Sequence, residues 1–109
     1  MHNRVLNALQ FYEITVKHHD GAKPTYTVKW SSTLPSSVTI SSSAWATEDS
    51  NLTIANAAND NDTASARFSA SSPGIYKATN TIVDSAGDTD QRIIRFVFED
   101  NSRTYDYGR

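Results

Sequence analysis

The densest group of metal-binding side chains in the sequence is His18-His19-Asp20. Imidazole and carboxylate suit zinc or nickel, but a site needs three or four converging donors, and neighbouring side chains on an extended segment point apart. The third histidine, His2, stands at the amino terminus. The group therefore reads as a solvated loop, and no metal is expected. Asn59-Asp60-Asn61-Asp62 resembles a fragment of a calcium loop, yet it lacks the following glycine and the distant bidentate glutamate. A plain turn is the expectation there. Serines are numerous, but there is no cysteine, no Gly-x-Ser-x-Gly elbow, and every histidine falls in the first nineteen residues. The carboxylate pairs Glu48-Asp49 and Asp88/Asp90 belong to loops or strand ends, where such pairs solubilise a surface. No catalytic residue, no cofactor and no enzymatic activity are expected. Asn51-Leu52-Thr53 and Asn61-Asp62-Thr63 match the glycosylation sequon, a modification that needs a secretory route for which no signal is visible.

A chain of 109 residues has room for one domain with one modest core. Its net charge of −2 supplies no basic field, so nucleic acid and anionic membranes lack their electrostatic attraction. Without cysteine, packing alone must hold the fold. The amino terminus lacks the apolar stretch of a secretory signal, and no run of apolar residues is long enough to span a bilayer. Synthesis in the cytosol is the expectation. Serine and threonine make up roughly a quarter of the residues, a bias toward strand faces and turns.

The hydrophobic pattern has period two along most of the chain, and it predicts strands. Residues 1–9 are expected as a short helical turn or arm, because Val5, Leu6 and Leu9 fall at helical spacing. Gln10 to Lys17 alternates, with Ile14 and Val16 inward, and a loop follows from His18 to Pro24. Thr25 to Trp30 sets Tyr26, Val28 and Trp30 on one face. Two short strands with a kink between them are expected around Val38–Ile40 and Ala44–Ala46, with Trp45 as the central plug. A strand at Leu52–Ile54 precedes a polar loop from Asn56 to Asp62. Ala64, Ala66, Phe68 and Ala70 line a further face. After the turn Ser71-Ser72-Pro73-Gly74, the strand from Ile75 to Val83 carries Tyr76, Ala78, Asn80 and Ile82 on one side, and Gly-x-Tyr at its start matches a tyrosine corner, in which the phenol caps upstream backbone. Gln91 to Glu99 is apolar on both faces, so it belongs at the centre of a sheet or beneath a neighbour.

This pattern predicts an all-β, immunoglobulin-like Greek-key sandwich of about seven strands, spanning 10–99 between an N-terminal arm at 1–9 and a C-terminal tail at 100–109. The expected core is Ile14, Val16, Tyr26, Val28, Trp30, Trp45, Ile54, Phe68, Tyr76, Ile82, Ile94, Phe96 and Phe98. Apolar and aromatic residues that flank this core are candidates for partner binding: Val5, Leu6, Leu9, Phe11, Tyr12, Tyr105 and Tyr107.

Five segments carry a resemblance to a family. They are Tyr26-Thr27-Val28-Lys29-Trp30-Ser31, Ile40-Ser41-Ser42-Ser43-Ala44-Trp45, Leu52-Thr53-Ile54, Gly74-Ile75-Tyr76-Lys77-Ala78-Thr79-Asn80-Thr81-Ile82 and Ala86-Gly87-Asp88-Thr89-Asp90-Gln91-Arg92. Over roughly 25–98 they resemble the fiber-tail adaptors of tailed bacteriophages. The resemblance implies an immunoglobulin-like structural virion protein near the neck or tail, present in multiple copies in a symmetric assembly and bound to other virion proteins. It departs at the N-terminal end, where this chain has a longer arm and a basic loop. A capsid decoration protein and a bacterial surface or carbohydrate-binding module are the alternative readings, because fold does not fix function.

Overall fold

The computed structural model describes residues 3–100. Eight strands follow one another: β1 (Asn3–Asn7), β2 (Glu13–His19), β3 (Thr25–Lys29), β4 (Ile40–Ala46), β5 (Leu52–Asn59), β6 (Thr63–Ala70), β7 (Gly74–Asp84) and β8 (Thr89–Glu99). They form two four-stranded sheets, ordered β1-β3-β6-β5 and β2-β8-β7-β4. The β5–β6 and β7–β8 connections are antiparallel hairpins, and the other links pass from one sheet to the other. Among the described residues only the two N-terminal strands pair in parallel, β1 with β3 and β2 with β8.

Alternation explains the layers. In β6 and β7 every second residue is buried, so Ala64, Ala66 and Phe68 of one sheet face Tyr76, Ala78, Asn80 and Ile82 of the other. Phe68 meets Phe96 at 4.7 Å between ring centroids, Tyr26 lies edge-on to Phe96 at 5.6 Å, and Trp45 stands edge-on to Phe68 at 5.1 Å. Tyr26, Val28, Trp30, Phe68, Tyr76, Ile82, Ile94, Phe96 and Phe98 are buried, while Ile14, Val16, Trp45 and Ile54 are partly buried against them. The strand with two apolar faces, β8, is central in its sheet. The Tyr76 hydroxyl donates to the Ser72 carbonyl at 2.8 Å and closes the turn before β7.

Several expectations are corrected. Residues 3–7 are a strand, not a helical turn, because β3 offers them an edge to pair with; this accounts for the eighth strand. The helical spacing survives only as one turn of 3-10 helix at Ala8–Gln10. His18 and His19 are in β2 and not in a loop, since the ladder with β8 continues to His19–Glu99. The two short strands around Val38 and Ala44 are one strand, β4, with a bulge between Ile40 and Ser42. The loop expected from Asn56 begins only at Asp60, because β5 runs through Asn59. Asn56 takes a positive φ of 55° as a bulge, after which Ala58 and Asn59 pair again with β6. Trp45 is not the plug: it lies on an edge strand and is half-buried, while Trp30 is fully enclosed.

Candidate interaction surface

The N-terminal segment runs along the edge of one sheet as β1, reverses at the 3-10 turn, and returns along the edge of the other as β2. The changeover is locally specified. Asn7 accepts from the Leu9 N–H at 3.0 Å and caps the 3-10 turn. Ala8 is wholly buried beneath it. The Arg92 Nε donates to the Ala8 carbonyl at 2.8 Å, and its guanidinium lies 4.9 Å from the centre of the Trp30 ring. The Ile93 N–H donates to the Tyr12 carbonyl at 2.9 Å, where β2 begins. Arg92 is held in turn by Asp90 at 2.8 Å.

This clamp presents apolar side chains to solvent. Val5, Leu9 and Tyr12 are 59 %, 64 % and 60 % exposed. With Ile75 they are the exposed large hydrophobic residues among the described residues, and three of the four lie within this one short segment. Of the expected partner-binding residues, Leu6 and Phe11 instead turn inward and pack partly against the core. The alternation of β1 puts Leu6 on the same side as Arg4, whose guanidinium is 5.9 Å from the centre of the Tyr26 ring. Tyr105 and Tyr107 lie outside the described residues.

Across the outside of the second sheet runs an open groove of about 640 Å³, bordered by Ala46, Asp49, Ile75, Lys77 and Thr81. Its floor is fixed by backbone contacts. Asp49 accepts from the Lys77 N–H at 3.0 Å, and the Thr47 hydroxyl donates to the Lys77 carbonyl at 2.7 Å. The local pattern of the sequence does not mark Ile75, although the outward apolar residues of β8 imply a neighbour, and Ile75 is paired with Val97.

At the end of the sandwich His18 meets Tyr26, Nε2 to Oη, at 2.8 Å and lies against Phe98. Burial first, and then the Arg4 charge, hold the His18 imidazole below its ordinary pKa. Burial raises the Tyr26 phenol, with Arg4 opposing. His19 is exposed on the opposite face of β2, so the adjacent histidines point apart. Asp60 closes the β5–β6 turn by accepting from the N–H groups of Asp62 and Thr63 and from the Thr63 hydroxyl. These hydrogen bonds, the Thr63 hydroxyl foremost, lower its pKa. Among the described residues no three histidine or carboxylate side chains gather as metal ligands, and no helix is long and apolar enough to cross a membrane.

No curated protein matches the chain. Among solved structures it is similar to the crystal structure of a cysteine protease inhibitor from Entamoeba histolytica, at 6 % identity and a TM-score of 0.54. The alignment covers 89 % of this chain and 95 % of that one, and it is a likeness of fold alone. The family model described as podophage GP4 fiber-tail adaptor protein gp77 matches residues 19–97, from the end of β2 to near the end of β8. Because that match takes in most of both sheets, the chain belongs to the podophage GP4 fiber-tail adaptor protein gp77 family, a family of structural bacteriophage tail proteins.

Proposed function

We propose that this chain is a non-enzymatic virion protein that joins the tail or neck of a bacteriophage to its fibers. It is assembled in the host cytoplasm in multiple copies of a symmetric particle, and its partners are other virion proteins. The family match over residues 19–97 carries this reading. The fold agrees with it as an immunoglobulin-like Greek key: strand orders 1-3-6-5 and 2-8-7-4 parallel the two-sheet order of that sandwich, and Tyr76 supplies its tyrosine corner. Such a sandwich offers faces and edges to neighbours. The partner-binding residues proposed are Val5, Leu9 and Tyr12, together with Tyr105 and Tyr107 of the tail, while Leu6 and Phe11 support them from the core side.

The test is incorporation into particles. Val5→Ser with Leu9→Ser alters two exposed side chains, so the melting temperature should barely move. A second variant ends at Asp100. Both should fold and both should be depleted from purified particles, which then carry fewer fibers. Normal incorporation of both would refute docking through these residues. Location of a labelled chain on the capsid shell instead of the tail would favour the decoration reading.

A further inference from the structure

We infer that two copies of this chain pair antiparallel along β2, joining their second sheets into one continuous sheet of eight strands. The inference stands on the geometry of one edge and is independent of the adaptor reading.

Four strands lie at sheet edges: β1 and β5 in one sheet, β2 and β4 in the other. A bulge interrupts β4 between Ile40 and Ser42, and another interrupts β5 between Ala55 and Ala58. Bulges of this kind blunt an edge against strand pairing. β1 is only five residues long. β2 is the long regular edge, with seven consecutive pairs to β8 and no proline.

Its backbone is oriented for a partner. The bonds from Ile93 N–H to Tyr12 C=O and from Asp20 N–H to Glu99 C=O fix the alternation of the parallel ladder. Even-numbered residues of β2 address β8. The N–H and C=O groups of Glu13, Thr15 and Lys17 therefore point to the open side.

The side chains then select one register. Centred on Thr15, an antiparallel copy sets Glu13 opposite Lys17 of the other chain, and Lys17 opposite its Glu13. All three pairs join residues whose backbone groups face outward. Slipping the copy by two residues sets Glu13 against Thr15 or His19 and leaves Lys17 without a carboxylate. A lysine on an edge normally discourages pairing. Here the same lysine is matched by a glutamate on its own strand face, which is the self-complementarity that a two-fold interface requires. In this register Tyr12, 60 % exposed, comes opposite His18 of the copy. Val5 belongs to the other sheet and is not part of the pairing.

The experiment is sedimentation equilibrium on the full chain and its variants, with circular dichroism and a thermal melt to verify folding. The wild type should be a dimer. Thr15→Pro removes an N–H that β8 does not use, so it should fold and be monomeric. Glu13→Lys alone and Lys17→Glu alone each set like charges opposite one another twice, and each should weaken the dimer roughly tenfold or more. An equimolar mixture of those two variants restores opposite charges at both positions and should recover the dimer. A monomeric wild type overturns the inference. So does a dimer that both charge variants leave unchanged, or a mixture that fails to recover.

Discussion

Asn80 is a polar side chain with no exposed surface, at the centre of the core. Its Oδ1 accepts from Trp30 Nε1 at 2.9 Å, and its Nδ2 donates to the Ser43 hydroxyl at 2.9 Å and the Ala44 carbonyl at 3.1 Å. One amide thus ties the end of β3 to β4, across the two sheets. Asn80→Ala strands the indole N–H in a site closed to water, which costs about 1–3 kcal/mol. The bonds to Ser43 and Ala44 add about 1 kcal/mol net between them, since those partners lie on an edge strand within reach of solvent. The expected loss is about 3 kcal/mol, a large share of the roughly 5–15 kcal/mol that a domain of this size possesses. Urea unfolding followed by far-ultraviolet circular dichroism measures it, and the midpoint should fall without a change in slope. Trp30→Phe supplies the second half of a double-mutant cycle. Once the indole donor is gone, Asn80→Ala should cost about 1–2 kcal/mol less than in the wild type. A single-variant cost below about 1 kcal/mol, or strict additivity in the cycle, would refute this account of the core.

Trp45 makes the opposite case. Its buried Nε1 has no hydrogen-bond partner, so Trp45→Phe removes an unsatisfied donor and should change stability by less than about 1 kcal/mol, well below the cost of Trp30→Phe in the same melts. At Gly74 a Cβ would stand 2.7 Å from the Tyr76 hydroxyl, at a φ of 157°. Gly74→Ala should displace the phenol from the Ser72 carbonyl and lose about 1–3 kcal/mol; a Tyr76→Phe background should absorb part of that loss. The lowered pKa of His18 means that the unfolded chain takes up a proton at higher pH than the folded one. The stability contributed by the neutral imidazole is therefore complete above about pH 6.5 and is lost as pH falls through the lowered folded value. His18→Gln should flatten the acid limb of a plot of melting temperature against pH, and an unchanged limb would show that another group sets it.

The sequence by itself determined which residues face inward. Alternation from Thr25 to Trp30, Ala64 to Ala70, Tyr76 to Ile82 and Ile94 to Phe98 needs no tertiary information, because side chains of an extended chain change sides at every residue. The turn chemistry of Ser71 to Gly74 and the cap made by Tyr76 are equally local. Only the tertiary structure decided the N-terminal segment. Val5, Leu6 and Leu9 suit a helical turn as well as a strand, and so short a helix is not stable alone, so the outcome rested on the edge that β3 and β8 leave open. It also decided which tryptophan is enclosed, since Trp30 and Trp45 sit in similar local patterns and differ in whether the strand beside them is interior or at an edge. The contacts of Arg92 with Ala8, Trp30 with Asn80 and His18 with Tyr26 join different elements of the fold, two of them across fifty positions or more. Such pairings arise from the closing of one sheet on the other, and no local periodicity records them.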